Sequence, residues 1–476
     1  QAAAYAAPPA TGTGKETPPP AQKAKAIQFP AFAEKTLQNG LRVVVVEQHE
    51  EPLVSLHLVL EAGKIFEPTD EPGLAAATAA LLTQGGTASR KASDLAATVD
   101  GIGGTLGALT DPEDAYASCA VTSDQIDLGL DLLSDVILHP SFAPEELERW
   151  RTQAQSGLRV QEQTAEYLAA ATFDRVIYGS HPYGQPSQGT QASLKRISRD
   201  ELVAFHKAHY LPNTAILAVV GDVKPADAFA KVERAFGGWA KGDAPKAPVF
   251  SPQPPEKRRI VVIDKPDAVQ TQVRVGQVGF AFTDPDFFTA QVYNAVVGGT
   301  PASRLYQEVR RKRGLSYGAS SVLIHLRQPG QFRASTYTKT ESTVETLDTV
   351  LAVLEGSREE VPAAELTGSK TYITGAFPLE IETPDGIAFK VMEALIYGYG
   401  RPFLESYRNR IDAVTPQEVK AFAEKRMHPD RMVVVLVGNA KVFSADLEKK
   451  YGPVEIIPAT ELDLGSADLR KPKAGS

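Results

Sequence analysis

The sequence of 476 residues contains one cysteine, Cys119, and no long uninterrupted hydrophobic run. A single cysteine cannot form a disulfide within the chain, so no disulfide framework supports the fold. The lack of a run of about 18 apolar residues argues against a membrane-spanning helix. The net charge of −8 is unfavourable for a protein whose main partner is nucleic acid. What remains is the composition of an ordinary globular protein, with 43% hydrophobic and 23% charged residues.

Motifs that carry catalytic chemistry are also scarce. The chain has eight histidines, of which only His206 and His209 lie close together at helical spacing. A catalytic zinc usually takes three protein ligands and a water, and the nearest acid, Glu201, points away from this pair. A histidine pair on a helix surface is therefore the preferred interpretation, with a zinc site at this pair as an alternative. The sequence also lacks a Gly-x-Ser-x-Gly elbow and a phosphate-binding loop.

The length exceeds what one hydrophobic core usually supports, so we expect two or more domains. Residues 1–26 are rich in alanine and proline and predict a disordered arm, exposed after removal of a signal peptide or created by an artificial chain start. This arm favours a periplasmic protein, with the cytoplasm as the alternative. Five prolines within residues 242–257 predict a linker between domains at 27–241 and 258–462, followed by a tail at 463–476.

The two halves of the chain repeat each other. Arg42–Glu47 matches Arg259–Asp264 at an offset of 217 residues, and residues 197–222 align without a gap on 414–439 at the same offset. Six of those 26 pairs are identical. Strands and helices alternate in mixed order with hairpins, which is typical of an α+β fold rather than a doubly wound parallel sheet. The sequence therefore predicts two homologous α+β sandwich domains.

One polar segment combines candidate functional residues. In residues 303–317, Leu305 and Val309 are four apart, which predicts a helix that Gly314 ends. We expect a strand to start near Leu315. Arg310 then lies in the last helical turn and Tyr317 just beyond it, where both side chains can face the same space. On these residues alone, a solvated basic helix end remains the simpler interpretation.

Five segments carry a pattern typical of one protein family, namely SRLYQEVRRKRGLSYGASS, NGLRVVVVEQ, LEAGKIFEPTDEPGLAAATAALLTQGGTASR, GGTLGALTDPEDAYAS and FDRVIYGSHPYGQPSQGT. Together they resemble the pitrilysin and mitochondrial processing peptidase superfamily of inverse-zinc peptidases. The resemblance extends over residues 29–454. It implies two similar α+β domains that form half of a clamshell.

The resemblance also implies that the zinc site is lost. Active members carry His-x-x-Glu-His on the first helix, with two zinc-binding histidines, a glutamate as general base and a later glutamate as third ligand. In this chain those positions read Ala75, Thr78, Ala79 and Gly157. The second half offers only Phe288, Gln291 and Val292 at the ligand positions. We therefore expect no metal in this chain and a zinc in a partner subunit.

The family's substrate-binding residues match better. An arginine and a tyrosine seven residues apart, which bind the substrate backbone and stabilise the oxyanion, correspond to Arg310 and Tyr317. The resemblance thus implies the non-catalytic subunit of a heterodimeric zinc metallopeptidase, acting with a homologous zinc-bearing partner on an extended peptide. The edge strand that holds peptide in active members corresponds to residues 107–110. The alternative is a structural or peptide-holding protein, like the core subunits of the respiratory cytochrome complex.

Overall fold

The computed structural model describes residues 29–471, in which strands and helices alternate through two halves. The strands of the first half are β1 (Phe32–Thr36), β2 (Arg42–Glu47), β3 (Leu53–Leu60), β4 (Thr105–Thr110), β5 (Ala115–Thr122) and β6 (Ala215–Gly221). Its helices are α1 (Leu74–Gln84), α2 (Ala92–Gly101), α3 (Ile126–Leu138), α4 (Pro144–Glu162), α5 (Ala165–Tyr178), α6 (Gln191–Arg196), α7 (Arg199–His209) and α8 (Pro225–Phe236).

The second half repeats this pattern. Its strands are β7 (Arg259–Asp264), β8 (Gln270–Val278), β9 (Ala319–Ile324), β10 (Gln331–Lys339), β11 (Val433–Gly438) and β12 (Glu455–Pro458). Its α-helices are α9 (Phe287–Asn294), α10 (Thr343–Gly356), α11 (Ala363–Glu380), α12 (Pro384–Ile396), α13 (Arg401–Ala413), α14 (Pro416–Arg426) and α15 (Ala440–Tyr451). Two π-helical segments, Ala295–Gly299 and Tyr306–Lys312, follow α9.

Each half forms one six-stranded mixed sheet, and five strands of the two sheets follow the same order, with a sixth strand added at one edge. The orders are β1-β2-β6-β3-β5-β4 and β12-β7-β11-β8-β10-β9. Arg42 pairs with Ile216 in the first sheet and Arg259 with Val433 in the second, so both partners keep the offset of 217. The outermost strands differ, since β1 runs antiparallel to β2 whereas β12 runs parallel to β7. The prediction of two homologous α+β domains is confirmed.

The domains cover each other's sheets. The β-branched strands place one face of each sheet against helices of the same domain, as in the core around β2, β3, α1 and α3. The opposite face of the first sheet packs against α12 of the second domain, mainly on β6 and β3. The opposite face of the second sheet packs against α5 of the first domain, on β11 and β8. This exchange of helices joins the two domains through buried apolar surface.

The segments outside the domains also make defined contacts. Residues 242–257 have no regular secondary structure, but the Phe250 ring packs 5.3 Å from Tyr178 and 4.9 Å from His181, measured between ring centroids. Residues 463–471, part of the predicted tail, pack against the first domain, where the Arg175 guanidinium donates to the Ser466 carbonyl at 3.0 Å. The predicted arm at 1–26 lies outside the described residues. None of the helices within 29–471 has the length and apolarity needed to cross a membrane.

Candidate functional site

The start of α1 is fixed by a glycine and a buried acid. Gly73 has a φ of +96°, and a β-carbon there would lie 2.9 Å from the backbone of Gly189. The Glu67 carboxylate accepts hydrogen bonds from the backbone N–H groups of Gly73 at 3.1 Å and Ala75 at 2.8 Å. Burial raises the pKa of Glu67 to about 8, although these donors oppose the rise. Glu67 thus satisfies two of the donors that the helix start leaves free.

The three residues of α1 that were aligned with the family's zinc-site residues lie on the buried side of the helix. Ala75, Thr78 and Ala79 are at most 1% exposed, and the Thr78 hydroxyl donates to the Leu74 carbonyl at 2.8 Å. The partly exposed positions are Ala76 and Ala80, one residue later. A catalytic zinc keeps one position open to water and substrate. The structure therefore favours an alignment in which the family's two zinc-binding histidines correspond to Ala76 and Ala80. Because these positions are also alanines, neither alignment provides a side chain that could bind zinc.

Gly157, the predicted position of the third ligand, lies on the exposed side of α4. A β-carbon there would meet nothing within 4 Å, so steric crowding does not explain the glycine. α4 packs against α1, which brings the two sets of positions into the same region. Within residues 29–471, no group of three or more histidine, cysteine, aspartate or glutamate side chains is placed to hold a metal ion.

The histidine pair on α7 is structural. His206 Nε2 bonds the Ile137 carbonyl at 2.8 Å, and its ring stacks on Tyr210 with centroids 4.6 Å apart. His209 packs against the rings of Phe66 and Phe205. Burial lowers the pKa of both histidines to about 4, so they are neutral at physiological pH. His209 is buried and His206 is half-buried against Tyr210, so this packing fits neither an exposed surface pair nor the alternative zinc site.

Two of the three equivalent positions of the second domain are buried, and the third, Gln291, is half-buried. Phe288 and Val292 are 5% and 0% exposed on α9, and both belong to the core of that domain. Arg410 lies 4.0 Å over the Phe288 ring. These side chains stabilise the fold through apolar and cation–π contacts.

Arg310 lies at the exposed end of the π-helical segment Tyr306–Lys312. Leu305 and Val309 anchor this region, being at most 1% exposed, while Arg310 points away from the core. The Arg310 guanidinium carbon lies 5.0 Å from the Tyr306 ring centroid and has no ion-pair partner among the described residues. π-helical segments occur frequently at functional sites.

Tyr317 lies in a loop rather than in a strand, because β9 begins at Ala319 instead of near Leu315. The Thr338 hydroxyl donates to the Leu315 carbonyl at 2.8 Å, and the Thr336 hydroxyl donates to the Gly318 carbonyl at 2.7 Å. These two bonds hold the backbone on both sides of Tyr317. The Tyr317 side chain is 77% exposed, and its hydroxyl bonds to no described residue. Arg310 and Tyr317 therefore both face solvent from a well-anchored backbone.

The edge strand β4 borders a cleft of about 540 Å³ between the domains. Within residues 29–471, β4 pairs with β5 alone, which leaves its other edge without a strand partner in that part of the chain. Leu109 of β4 is 61% exposed, and Phe389 of α12 is 52% exposed on the opposite wall. His57 on β3 bonds Asp385 of α12 at 2.9 Å across the domain boundary. No local feature of the sequence indicates that α12 of the other domain brings Asp385 and Phe389 to this cleft.

Comparisons with known proteins agree with this architecture. A family model described as "Insulinase (Peptidase family M16)" matches residues 42–190, and one described as "Peptidase M16 inactive domain" matches residues 196–373. A Bacillus subtilis protein named "Uncharacterized zinc protease YmxG" is 25% identical, over 84% of this chain and 97% of its own length. A Helicobacter pylori protein named "Non-peptidase homolog YmxG" is 24% identical, over 85% of this chain and 93% of its own length.

A solved structure is similar over nearly the whole described region. The crystal structure of a peptidase M16 inactive domain from Pseudomonas fluorescens superposes with a TM-score of 0.80 at 29% identity, covering 86% of this chain and 98% of that one. Both this structural similarity and the two family models extend over parts of both domains. At the positions that correspond to the family's zinc site, the sequence has only alanine, threonine and glycine. The chain therefore belongs to peptidase family M16.

Proposed function

We propose that this chain is the non-catalytic subunit of a heterodimeric zinc metallopeptidase. In this proposal a homologous partner supplies the zinc and the general base, and this chain supplies Arg310, Tyr317 and half of an enclosed chamber. The observation that carries the proposal is a contrast between the two domains. Arg310 and Tyr317 are exposed and lack hydrogen-bond partners among the described residues, whereas the zinc positions hold only small side chains.

The two side chains suit the proposed role chemically. A guanidinium and a phenol both donate hydrogen bonds to a carbonyl oxygen. Donors fixed in advance near a scissile carbonyl stabilise the negative charge that develops on its oxygen. The threonine bonds on both sides of Tyr317 favour such a fixed position. An extended peptide could add to a free strand edge, such as that of β4, through main-chain hydrogen bonds.

The test is peptide turnover by this chain mixed with its zinc-bearing partner. We expect Arg310→Ala to lower turnover by about 10²–10³-fold, which is the usual loss for one transition-state donor. The matched control is Arg311→Ala, which removes the neighbouring exposed arginine and should change turnover little. Equal turnover by wild type and Arg310→Ala would contradict the composite site.

The second candidate is a structural or peptide-holding protein without a peptidase role. The relative named "Non-peptidase homolog YmxG" favours it, since that name denies activity to a chain similar over most of its length. Purification of the complex from the native host separates the candidates. A co-purifying subunit with His-x-x-Glu-His supports the peptidase, and an assembly without that motif supports the structural role.

A further inference from the structure

Two hairpin turns, one from each domain, meet at the domain boundary. The turn between β9 and β10 spans residues 325–330 and reaches into the first domain. Its Leu326 is 7% exposed and packs with Ile65, Tyr178 and Tyr183, which all belong to the first domain. Gln328 of the same turn bonds the backbone of the linker at Pro248 and Phe250. The turn is therefore a docking element rather than a solvent-exposed loop.

Arg327 makes the central contact of this junction. Its guanidinium donates two hydrogen bonds to the Asp114 carboxylate, both at 2.8 Å, and its backbone N–H donates to Glu113 at 2.8 and 3.0 Å. Asp114 and Glu113 are only 2% and 3% exposed, in the turn that joins β4 to β5. The Tyr183 hydroxyl also donates to Glu113. A bidentate arginine–carboxylate pair fixes orientation as well as distance.

The exchanged helices hold other parts of the sheets. α12 packs mainly on β6 and β3, and α5 packs on β11 and β8, so neither rests mainly on the two hairpins. β4 is the edge strand of one hairpin, and the loop that holds Tyr317 leads into β9 of the other, which begins two residues later. The contact between their turns joins the hairpin that contains β4 to the hairpin that the Tyr317 loop leads into.

We propose that Arg327 is a positioning residue, which latches the β4–β5 hairpin to the β9–β10 hairpin. The latch sets the β4 edge relative to Tyr317 and Arg310. Without Arg327, two buried carboxylates lose their charge partner, and the hairpins become free to separate. The effect of the latch on turnover rests on the function proposed above, whereas its effect on hairpin geometry does not.

The geometric test measures distances between the hairpins in the full chain. Spin labels are attached to Thr105→Cys on β4 and Ser320→Cys on β9, which are both exposed, while the native Cys119 is buried. We expect a narrow distance distribution in the wild-type background and a broadened or shifted one in Arg327→Gln. The matched control is Arg333→Gln on β10, whose arginine lies 3.8 Å from Asp174. An unchanged distribution in Arg327→Gln, or equal broadening in the control, would overturn the latch.

The functional test compares turnover by the variants mixed with the zinc-bearing partner. We expect Arg327→Gln to lower kcat by about tenfold to a hundredfold, as expected when groups around a reacting bond are misplaced. Arg327→Lys keeps the charge but not the bidentate fork, so it should rescue kcat only partly. A broadened distribution with unchanged kcat would overturn the positioning role. If the mixture with the wild-type chain is inactive, the proposed function is wrong. The spin-label distances then test by themselves whether Arg327 holds the two hairpins together.

Discussion

Glu67 shows how one buried acid can make the stability of this protein depend on pH. Its carboxylate bonds two N–H groups at the start of α1, but burial raises its pKa from 4.5 to about 8. The folded state therefore binds the Glu67 proton more tightly than the unfolded state between about pH 4.5 and pH 8. Across this window the contribution of Glu67 to the free energy of unfolding falls as the pH rises.

Glu67→Gln should remove this contribution while keeping an oxygen that accepts from Gly73 and Ala75. We expect the difference in unfolding free energy, wild type minus variant, to decrease between pH 5.5 and pH 8. Urea denaturation at the two pH values measures it, with exposed Glu51→Gln as the control. A difference that stays constant or grows with pH would show that Glu67 does not titrate in this window.

At the scale of the element, α1 shows what its sequence can and cannot predict. The glycines at both ends of the run GLAAATAALLTQGG indicate where α1 begins and ends, and the helix spans Leu74–Gln84. The face it buries could not be predicted, because an alanine-rich helix has little contrast between apolar and polar sides. Similarly, nothing near Leu315 indicates that Thr336 and Thr338 of β10 hold that segment as a loop.

Histidine substitutions on α1 test the register. The pair Ala75→His and Ala79→His places two rings in a filled core, so we expect a loss of at least about 1–3 kcal/mol in the free energy of unfolding. The pair Ala76→His and Ala80→His lies on the partly exposed side of α1 and should cost less. Thermal and urea unfolding measure both. Equal destabilisation by the two pairs would contradict the assignment of Ala76 and Ala80 to the open face.

At the scale of the molecule, the duplication can be predicted from the sequence, whereas the exchange of helices between the two domains cannot. One offset of 217 runs through Arg42–Glu47 and Arg259–Asp264, and the structure keeps it in the pairing of both sheets. The apolar stripe of α12 predicts a buried face but does not tell which sheet buries it. For the same reason, Arg327 and Asp114 are ordinary turn residues in the sequence and partners only in the fold.

The separation of roles between two subunits is the central claim of this account, and reconstitution tests it most directly. Zinc content and peptide turnover are measured for this chain, for its homologous partner and for their mixture. We predict zinc in the partner, turnover only in the mixture, and a loss of that turnover with Arg310→Ala. Stoichiometric zinc with peptidase activity in this chain alone, or full activity in the partner alone, would contradict the account.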